Sequence, residues 1–211
     1  EWTQKHPIGR LTQTFGSVDD YHAFCKYQLV RHNINGENSI EFPKTILNAM
    51  NCRPIQNITH EISNKYEFDD RTAHTIFSID PPGCVDIDDA IGIKELPNGH
   101  MISIYIANVP AWIEYLNLWS DMPNKTSTVY LPHEKLPMLP KILSERICSL
   151  TEKEDKLAFA LDITIERNSI IKTEFRTALI SLQKNYEYEE ASLLSNPEYI
   201  KLFDLTKNIS G

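Results

Sequence analysis

Long apolar runs are missing from this sequence. The longest, such as Ile102 to Val109, fall far short of the roughly 20 residues that a helical membrane span requires. The opening residues Glu1-Trp2-Thr3-Gln4-Lys5 have no apolar signal-peptide core. These absences imply a soluble intracellular protein, cytoplasmic or nuclear. Cysteine is scarce: Cys25, Cys52, Cys84 and Cys148 form no Cys-x-x-Cys pair, which argues against a zinc ribbon or a disulfide scaffold and leaves buried thiols. The sequons at Asn57, Asn124 and Asn208 carry no weight without a secretory feature. Positive charge is also in deficit, with 21 Lys and Arg against 29 Asp and Glu and a formal charge of -8. That composition lacks the basic footprint of a phosphate-neutralising protein. Nucleic-acid binding is compatible with it where a narrow channel and metal ions supply the local positive charge, or where the basic parts lie in another segment. The chain has no internal repeat or low-complexity tract. It begins with Glu1 rather than Met, so it reads as a fragment or a processed product.

The N-terminal part is a mixture of signals. His6 to Gly16 is partly alternating and bounded by glycine, which predicts a strand ending in a turn and the tail of a β-domain. Tyr21, Phe24, Cys25 and Leu29 recur at helical spacing after Ser17 and the Asp19-Asp20 pair, predicting a helix over Asp20 to His32. Asn33 to Asn38 is turn chemistry, and Phe42-Pro43 opens a second helical pattern carried by Ile46, Leu47 and Met50. Asn51 to Arg71 is polar, is read as irregular, and contains the expected domain boundary.

Strands dominate afterwards. Thr75 to Ile79, Ala90 to Ile93 and Met101 to Val109, where Ile102, Ile104 and Ile106 alternate, should share one sheet. Trp112 to Trp119 reads as helical, Val129 to Leu131 as a brief strand, and Lys141 to Glu145 as a short helix after the proline-bracketed Leu136 to Pro140. Leu157 to Glu166 and Ile170 to Leu182 should pair as a hairpin across Arg167-Asn168-Ser169. Glu187 to Leu194 and Glu198 to Asn208 read as two helices split by Asn196-Pro197.

The segment with chemistry in it is Ile79-Asp80-Pro81-Pro82-Gly83-Cys84-Val85-Asp86-Ile87-Asp88-Asp89-Ala90, four carboxylates in a mainly apolar setting. Like charges held together repel, and desolvation penalises them further unless a cation compensates, so a hard divalent ion is their natural partner. Pro81-Pro82-Gly83 can turn Asp80 back over Asp86 to Asp89. In an extended segment Asp86 and Asp88 share a face while Asp89 points away, so convergence of all four needs a turn or bulge. Oxygen-only ligation selects Mg²⁺ or Mn²⁺ over Zn²⁺, and paired ions roughly 4 Å apart suit phosphodiester hydrolysis. A solvated acidic loop is the alternative. An EF-hand fails on spacing, since counting from Asp80 or Asp86 puts Ile91 or Pro97 where a bidentate Glu belongs.

That segment resembles the signature of the RNB catalytic domain shared by RNase II, RNase R and the exosome nuclease Dis3. Three further elements are similar to family motifs in the same order: Tyr105-Ile106-Ala107-Asn108-Val109; Thr128-Val129-Tyr130-Leu131-Pro132; and Leu136 to Pro140 with Leu143-Ser144 and Cys148-Ser149-Leu150. The resemblance covers about Thr75 to Leu194, and more weakly the first seventy residues. It implies an α+β fold, a mixed β-sheet flanked by helices. Residues 1–18 would end a cold-shock (OB-type) domain, 19–70 would be a helical connector, and 71–211 the N-terminal part of an RNB domain. It further implies a magnesium-dependent 3′-to-5′ exoribonuclease that hydrolyses single-stranded RNA to nucleoside 5′-monophosphates. Asp80, Asp86, Asp88 and Asp89 would be its catalytic, metal-site aspartates, with Mg²⁺ (or Mn²⁺) as cofactor. Tyr130 would stack the 3′-terminal nucleotides, although by itself it reads as a core tyrosine beside Pro132. Cys84 and Cys148 read as small fillers, and His133 and His22 as loop or surface histidines.

The sequence departs from the family at Asn108, where members usually carry Asp. The C-terminal half of the RNB domain, with its Pro-Ile-Arg-Arg-Tyr element, and the S1 domain have no counterpart in these 211 residues; as partners they would come from the same or another chain. Those departures sustain a second reading, a catalytically silent RNB-like RNA-binding or assembly module. A different two-metal phosphohydrolase is a third.

Overall fold

A computed structural model describes residues 9–34, 47, 50, 52–122 and 127–209. They fall into two compact units, one from Glu1–Ile40 with Pro123–Met138 and the other from Glu41–Met122 with Leu139–Gly211. In the first unit, α1 (Tyr21–Arg31) starts where Asp20 caps it, its carboxylate accepting from the His22 amide at 2.9 Å. Its buried residues are Ala23, Cys25 and Leu29. A two-stranded ribbon of β5 (Val129–Tyr130) and β6 (Lys135–Leu136) completes that unit's regular structure among the described residues.

The second unit is an α+β structure built on a seven-stranded mixed sheet. Its strands are β1 (Asp69–Arg71), β2 (Ile76–Asp80), β3 (Asp89–Leu96), β4 (Gly99–Ala107), β7 (Asp155–Glu166), β8 (Ser169–Ser181) and β9 (Lys184–Glu187). Their spatial order is β1-β8-β7-β4-β3-β2-β9. The two outermost pairings are parallel and the inner ones antiparallel; of the inner pairs, β3 with β4 and β7 with β8 are joined by two-residue turns. Arg167 and Asn168 both adopt positive φ, 50° and 61°, the two-residue turn whose twist suits a hairpin. Gly99 is required where β4 begins, since a Cβ there would lie 2.0 Å from the Ile165 carbonyl oxygen.

Both faces of the sheet carry apolar clusters. The larger joins Ile76, Tyr105, Ala158, Ala160 and Ile180 to Ile58 and Ile62 of α2 (Ile55–Lys65) and Trp112 of α3 (Val109–Tyr115). The smaller joins Phe77, Ile93, Ile102 and Ile165 to Leu193 of α4 (Ala191–Leu194) and Leu202 of α5 (Pro197–Ile209). Beneath α2 a buried ion pair crosses the sheet: Arg71 donates twice to Asp162, both at 2.7 Å, and Ser103 donates to the same carboxylate at 2.6 Å. Burial works against the Asp162 charge, but the Arg71 and Ser103 hydrogen bonds outweigh it and hold the carboxyl below its ordinary range.

Several expectations need correction. Asn51 to Arg71 is not irregular, since α2 fills Ile55–Lys65 with Ile58, Thr59, Ile62 and Ser63 buried; polar residues of high helical register hid a 3.6-residue stripe. The helix expected from Glu187 is preceded by strand β9, and only Ala191–Leu194 is helical there. The helix expected at Trp112 begins at Val109, and the Lys141 to Glu145 helix is a π-helical turn over Ile142–Ile147. Gly9 to Gly16 forms no strand, while His6 to Ile8 lie outside the described residues, as do Asn35 to Asn38 and most of the Phe42 to Asn51 pattern.

Removing one partner of the buried pair leaves an uncompensated charge. Asp162→Asn or Arg71→Met is therefore expected to cost about 3–5 kcal/mol of stability in denaturant unfolding, and the double replacement to cost less than either. Because the folded-state pKa of Asp162 is depressed, its contribution is present above the ordinary carboxylate range and disappears as pH falls through the depressed value.

Candidate functional site

The four aspartates lie where β2 ends and β3 begins. Asp80 is the last residue of β2 and Asp89 the first of β3. Between them Pro81-Pro82-Gly83-Cys84 is a type II-like turn: the Cys84 amide donates to the Pro81 carbonyl at 3.1 Å, and Gly83 sits at φ 75°. Proline supplies the fixed φ before it, and glycine the left-handed residue that a side chain would strain.

The remainder of the loop is fastened to the Cys148-Ser149-Leu150 segment. Ser149 is buried; its hydroxyl accepts from the Ile87 amide at 3.1 Å and donates to the Val85 carbonyl at 2.9 Å. The Leu150 amide donates to the Ile87 carbonyl at 2.9 Å. Two motifs about sixty residues apart are thereby one structural element, and Asp86 and Asp88 flank its fastened residue. The Ala107 amide donates to the Asp88 carbonyl at 2.9 Å, tying the loop to β4 as well.

Asp80 is set by a relay. Ser78 donates to its Oδ2 at 2.6 Å, and Asn185 donates through Nδ2 to Ser78 Oγ at 2.8 Å and to the Leu150 carbonyl at 2.9 Å. Burial raises the Asp80 pKa most; the Ser78 hydrogen bond opposes this, and the charges of Asp89 and Asp86 raise it further. Cys84 reports the same field, its thiol raised by burial and by Asp80, with Asp86 and Asp88 contributing. Cys148 is pushed up to about 12, chiefly by burial, with Asp88 adding to it. Both thiols are shifted away from the thiolate form, which leaves the carboxylates as the acidic groups of this loop.

The carboxylates nevertheless do not close round one point. Pairing of Phe77 with Ile91 puts Asp89 on the sheet face of Phe77, whereas Asp80 alternates onto the face of Ser78. Among the described residues no group of three or more His, Cys, Asp or Glu is arranged to hold an ion. Asp88 and Asp89 are exposed and Asp80 and Asp86 half-buried. The structure brings Asp80, Asp86 and Asp89 within electrostatic reach of one another. The donor set, all oxygen and mutually repelling, fits a hard divalent cation rather than zinc.

Tyr130, in the other unit, is 74% exposed and not a core residue; the Lys135 ammonium lies 5.7 Å from its ring centroid. In that unit His22 and His133 meet edge to face at 4.5 Å, and His133 Nε2 lies 3.3 Å from Glu134. Asn108 is buried and caps α3, its Oδ1 accepting from the Ala111 amide at 3.1 Å. Asn and Asp cap helices about equally, so this position retains its structural task. Ser78, Ser149 and Asn185 were not picked out from sequence; Ser149 stands inside a motif, but Asn185 lies 107 residues from Ser78 with no local signal.

The RNB domain family model matches residues 68–201. The exosome complex exonuclease RRP44 of Homo sapiens is 30% identical over 192 residues, covering 90% of this chain and 19% of that protein. Ribonuclease R of Thermotoga maritima is 27% identical over 209 residues, covering 97% of this chain and 29% of that one. The apo form of Mycoplasma genitalium RNase R superposes with a TM-score of 0.68 at 23% identity over 93% of this chain and 31% of that one, a likeness of fold. The chain thus spans between a fifth and a third of the length of these relatives. Among the described residues no helix is long and apolar enough to cross a membrane.

Two outcomes follow from the loop. Ser149→Ala leaves the Ile87 amide without its acceptor in a buried site, with an expected loss of about 1–3 kcal/mol in chemical unfolding. Asp80→Asn removes a charge that folding confines beside two others. In chelator at neutral pH its melting temperature should exceed that of the parent, with the gap narrowing as pH falls toward the ordinary carboxylate range. The sign follows from the raised folded-state pKa, which makes the parent lose stability as pH rises through it. Identical melting curves at every pH would show that the charges do not interact.

Proposed function

We propose, since this chain belongs to the RNB domain family, that it is the N-terminal part of the catalytic domain of a 3′-to-5′ exoribonuclease that releases nucleoside 5′-monophosphates. The observation that carries this reading is the Asp80 to Asp89 loop, whose carboxylates feel each other's charge and whose backbone is fastened by Ser149. The exonuclease names of the relatives agree with it. Asp80, Asp86, Asp88 and Asp89 hold Mg²⁺ or Mn²⁺, which when bound supplies Lewis acidity and a water of lowered pKa for phosphodiester hydrolysis. Ser78 and Asn185 orient Asp80, and Ser149 fixes the backbone between Asp86 and Asp88. The exposed ring of Tyr130 stacks on a base of single-stranded RNA, a contact that every base can make.

In the complete protein Asp88→Asn should lower the release of nucleotides from a labelled oligoribonucleotide by about 10³-fold or more, the order of losing a principal electrostatic group. Binding measured without turnover should change little. Turnover equal to the parent's would remove Asp88 from the site. The 211-residue chain alone is expected to release no measurable nucleotide, and robust magnesium-dependent release by it would overturn that expectation. The silent-module reading is favoured by the open arrangement of the carboxylates in this chain. It predicts no thermal shift with Mg²⁺ or Mn²⁺ even for the complete protein, whereas the nuclease reading predicts a shift.

A further inference from the structure

A hollow of about 490 Å³ opens where α2 begins and the π-helical turn over Ile142–Ile147 ends. That size lies within the roughly 300–1,000 Å³ usual for small-molecule sites. None of Asp80, Asp86, Asp88 and Asp89 lines it, but two guanidinium groups do, those of Arg53 and Arg146. Arg146 is exposed, and among the described residues its side chain makes no hydrogen bond or close ion pair. Its backbone is held in place, because the buried Lys156 ammonium donates to the Arg146 carbonyl at 3.1 Å. Arg53 donates to Glu61 through one terminal nitrogen, which leaves other donors of its fork unspent among the described residues. The carboxylate in the lining, Glu154, is already committed. Lys156 pairs with it at 2.9 Å and Thr151 donates to it at 2.9 Å, and the Lys156 bond holds its carboxyl below the ordinary range. Three cations, Arg53, Arg146 and Lys156, thus stand against two anions, Glu61 and Glu154, in a chain whose formal charge is -8.

The rest of the lining is not ionic. Met50 is buried and Ile55 half-buried, and with Pro54 they give the hollow an apolar wall. Gln56 adds an amide that both donates and accepts. Planar guanidinium forks match phosphate oxygens in pairs and stack on bases, while an apolar wall with an amide beside it suits a base and its sugar. A bare phosphate ion fills only a small part of such a volume and makes no use of the wall. We propose that the hollow is a nucleotide-binding site, with the phosphate held by Arg146 and Arg53, separate from the acidic loop. A free mononucleotide and one nucleotide of an RNA strand offer it the same chemistry. The site is additional to the nuclease reading and does not depend on a metal at the aspartates.

Cys52 supplies the probe. It lines the hollow and is exposed, whereas Cys25 and Cys148 are buried and Cys84, in the acidic loop, is half-buried. Maleimide labelling of the complete protein in chelator, read peptide by peptide by mass spectrometry, is measured with adenosine 5′-monophosphate, an oligoadenylate, adenosine, inorganic phosphate or glutamate. A bound nucleotide at about ten times its dissociation constant should slow Cys52 roughly tenfold and leave Cys84 unchanged. Protection by the mononucleotide assigns the site to free nucleotide, and protection by the oligonucleotide alone assigns it to RNA. Arg146→Ala and Arg53→Gln should each raise the half-protecting concentration about tenfold or more, the factor that one charge-assisted hydrogen bond implies. Lys141→Ala, at the head of the same π-helical turn and 71% exposed in the parent, should leave it unchanged. Absence of protection by either nucleotide overturns the proposal, as does a Cys52 that is unreactive from the start. Equal protection by phosphate, adenosine or glutamate overturns it, and so does undiminished protection in Arg146→Ala. Parallel slowing of Cys84 overturns it by placing the ligand at the acidic loop. Nucleotide release assayed in parallel with Mg²⁺ keeps the two claims apart: an active nuclease with an unprotected Cys52 sinks this site and spares the nuclease reading.

Discussion

Repulsion of the Asp80 carboxylate by Asp89 and Asp86, where one strand ends and the next begins, is the constraint round which this loop is arranged. Nothing in the loop's own chemistry favours bringing Asp80, Asp86 and Asp89 within range of one another, so the backbone has to enforce it. A proline-glycine turn reverses the chain and a buried serine hydroxyl fastens the middle of the loop to a distant segment. An asparagine anchored to that same segment holds Ser78 against Asp80. Each of these devices is neutral. They fix position without adding a positive charge.

The scaffold beneath tolerates that cost because its own polar groups are paired. Arg71, Asp162 and Ser103 satisfy one another inside the sheet, and Lys156, itself buried, donates to the Arg146 carbonyl at 3.1 Å and pairs with Glu154 at 2.9 Å. Among the described residues no buried side-chain nitrogen or oxygen lacks a hydrogen-bond partner. The crowded like charges lie at one end of the sheet, where β2 ends and β3 begins.

The strand registers divide the carboxylates between the two faces of the sheet. Asp89 alternates onto the face of Ile106 and Phe159, and Asp80 onto the opposite face.

The alternating isoleucines of β4, the hairpin between β7 and β8, and the aspartate cap of α1 were legible in the sequence, because each is decided by neighbours within a few residues. The acidic loop and its turn were equally legible, and so was the family. Strand β9, helix α2 and the parts played by Ser78, Ser149 and Asn185 were not. The four residues of β9 become a strand only because β2 offers them a free edge, and Ser149 acts on residues more than sixty positions away. Local chemistry sufficed to name the acidic groups. Which face each of them occupies is settled by strand registers that form only when the whole sheet is assembled.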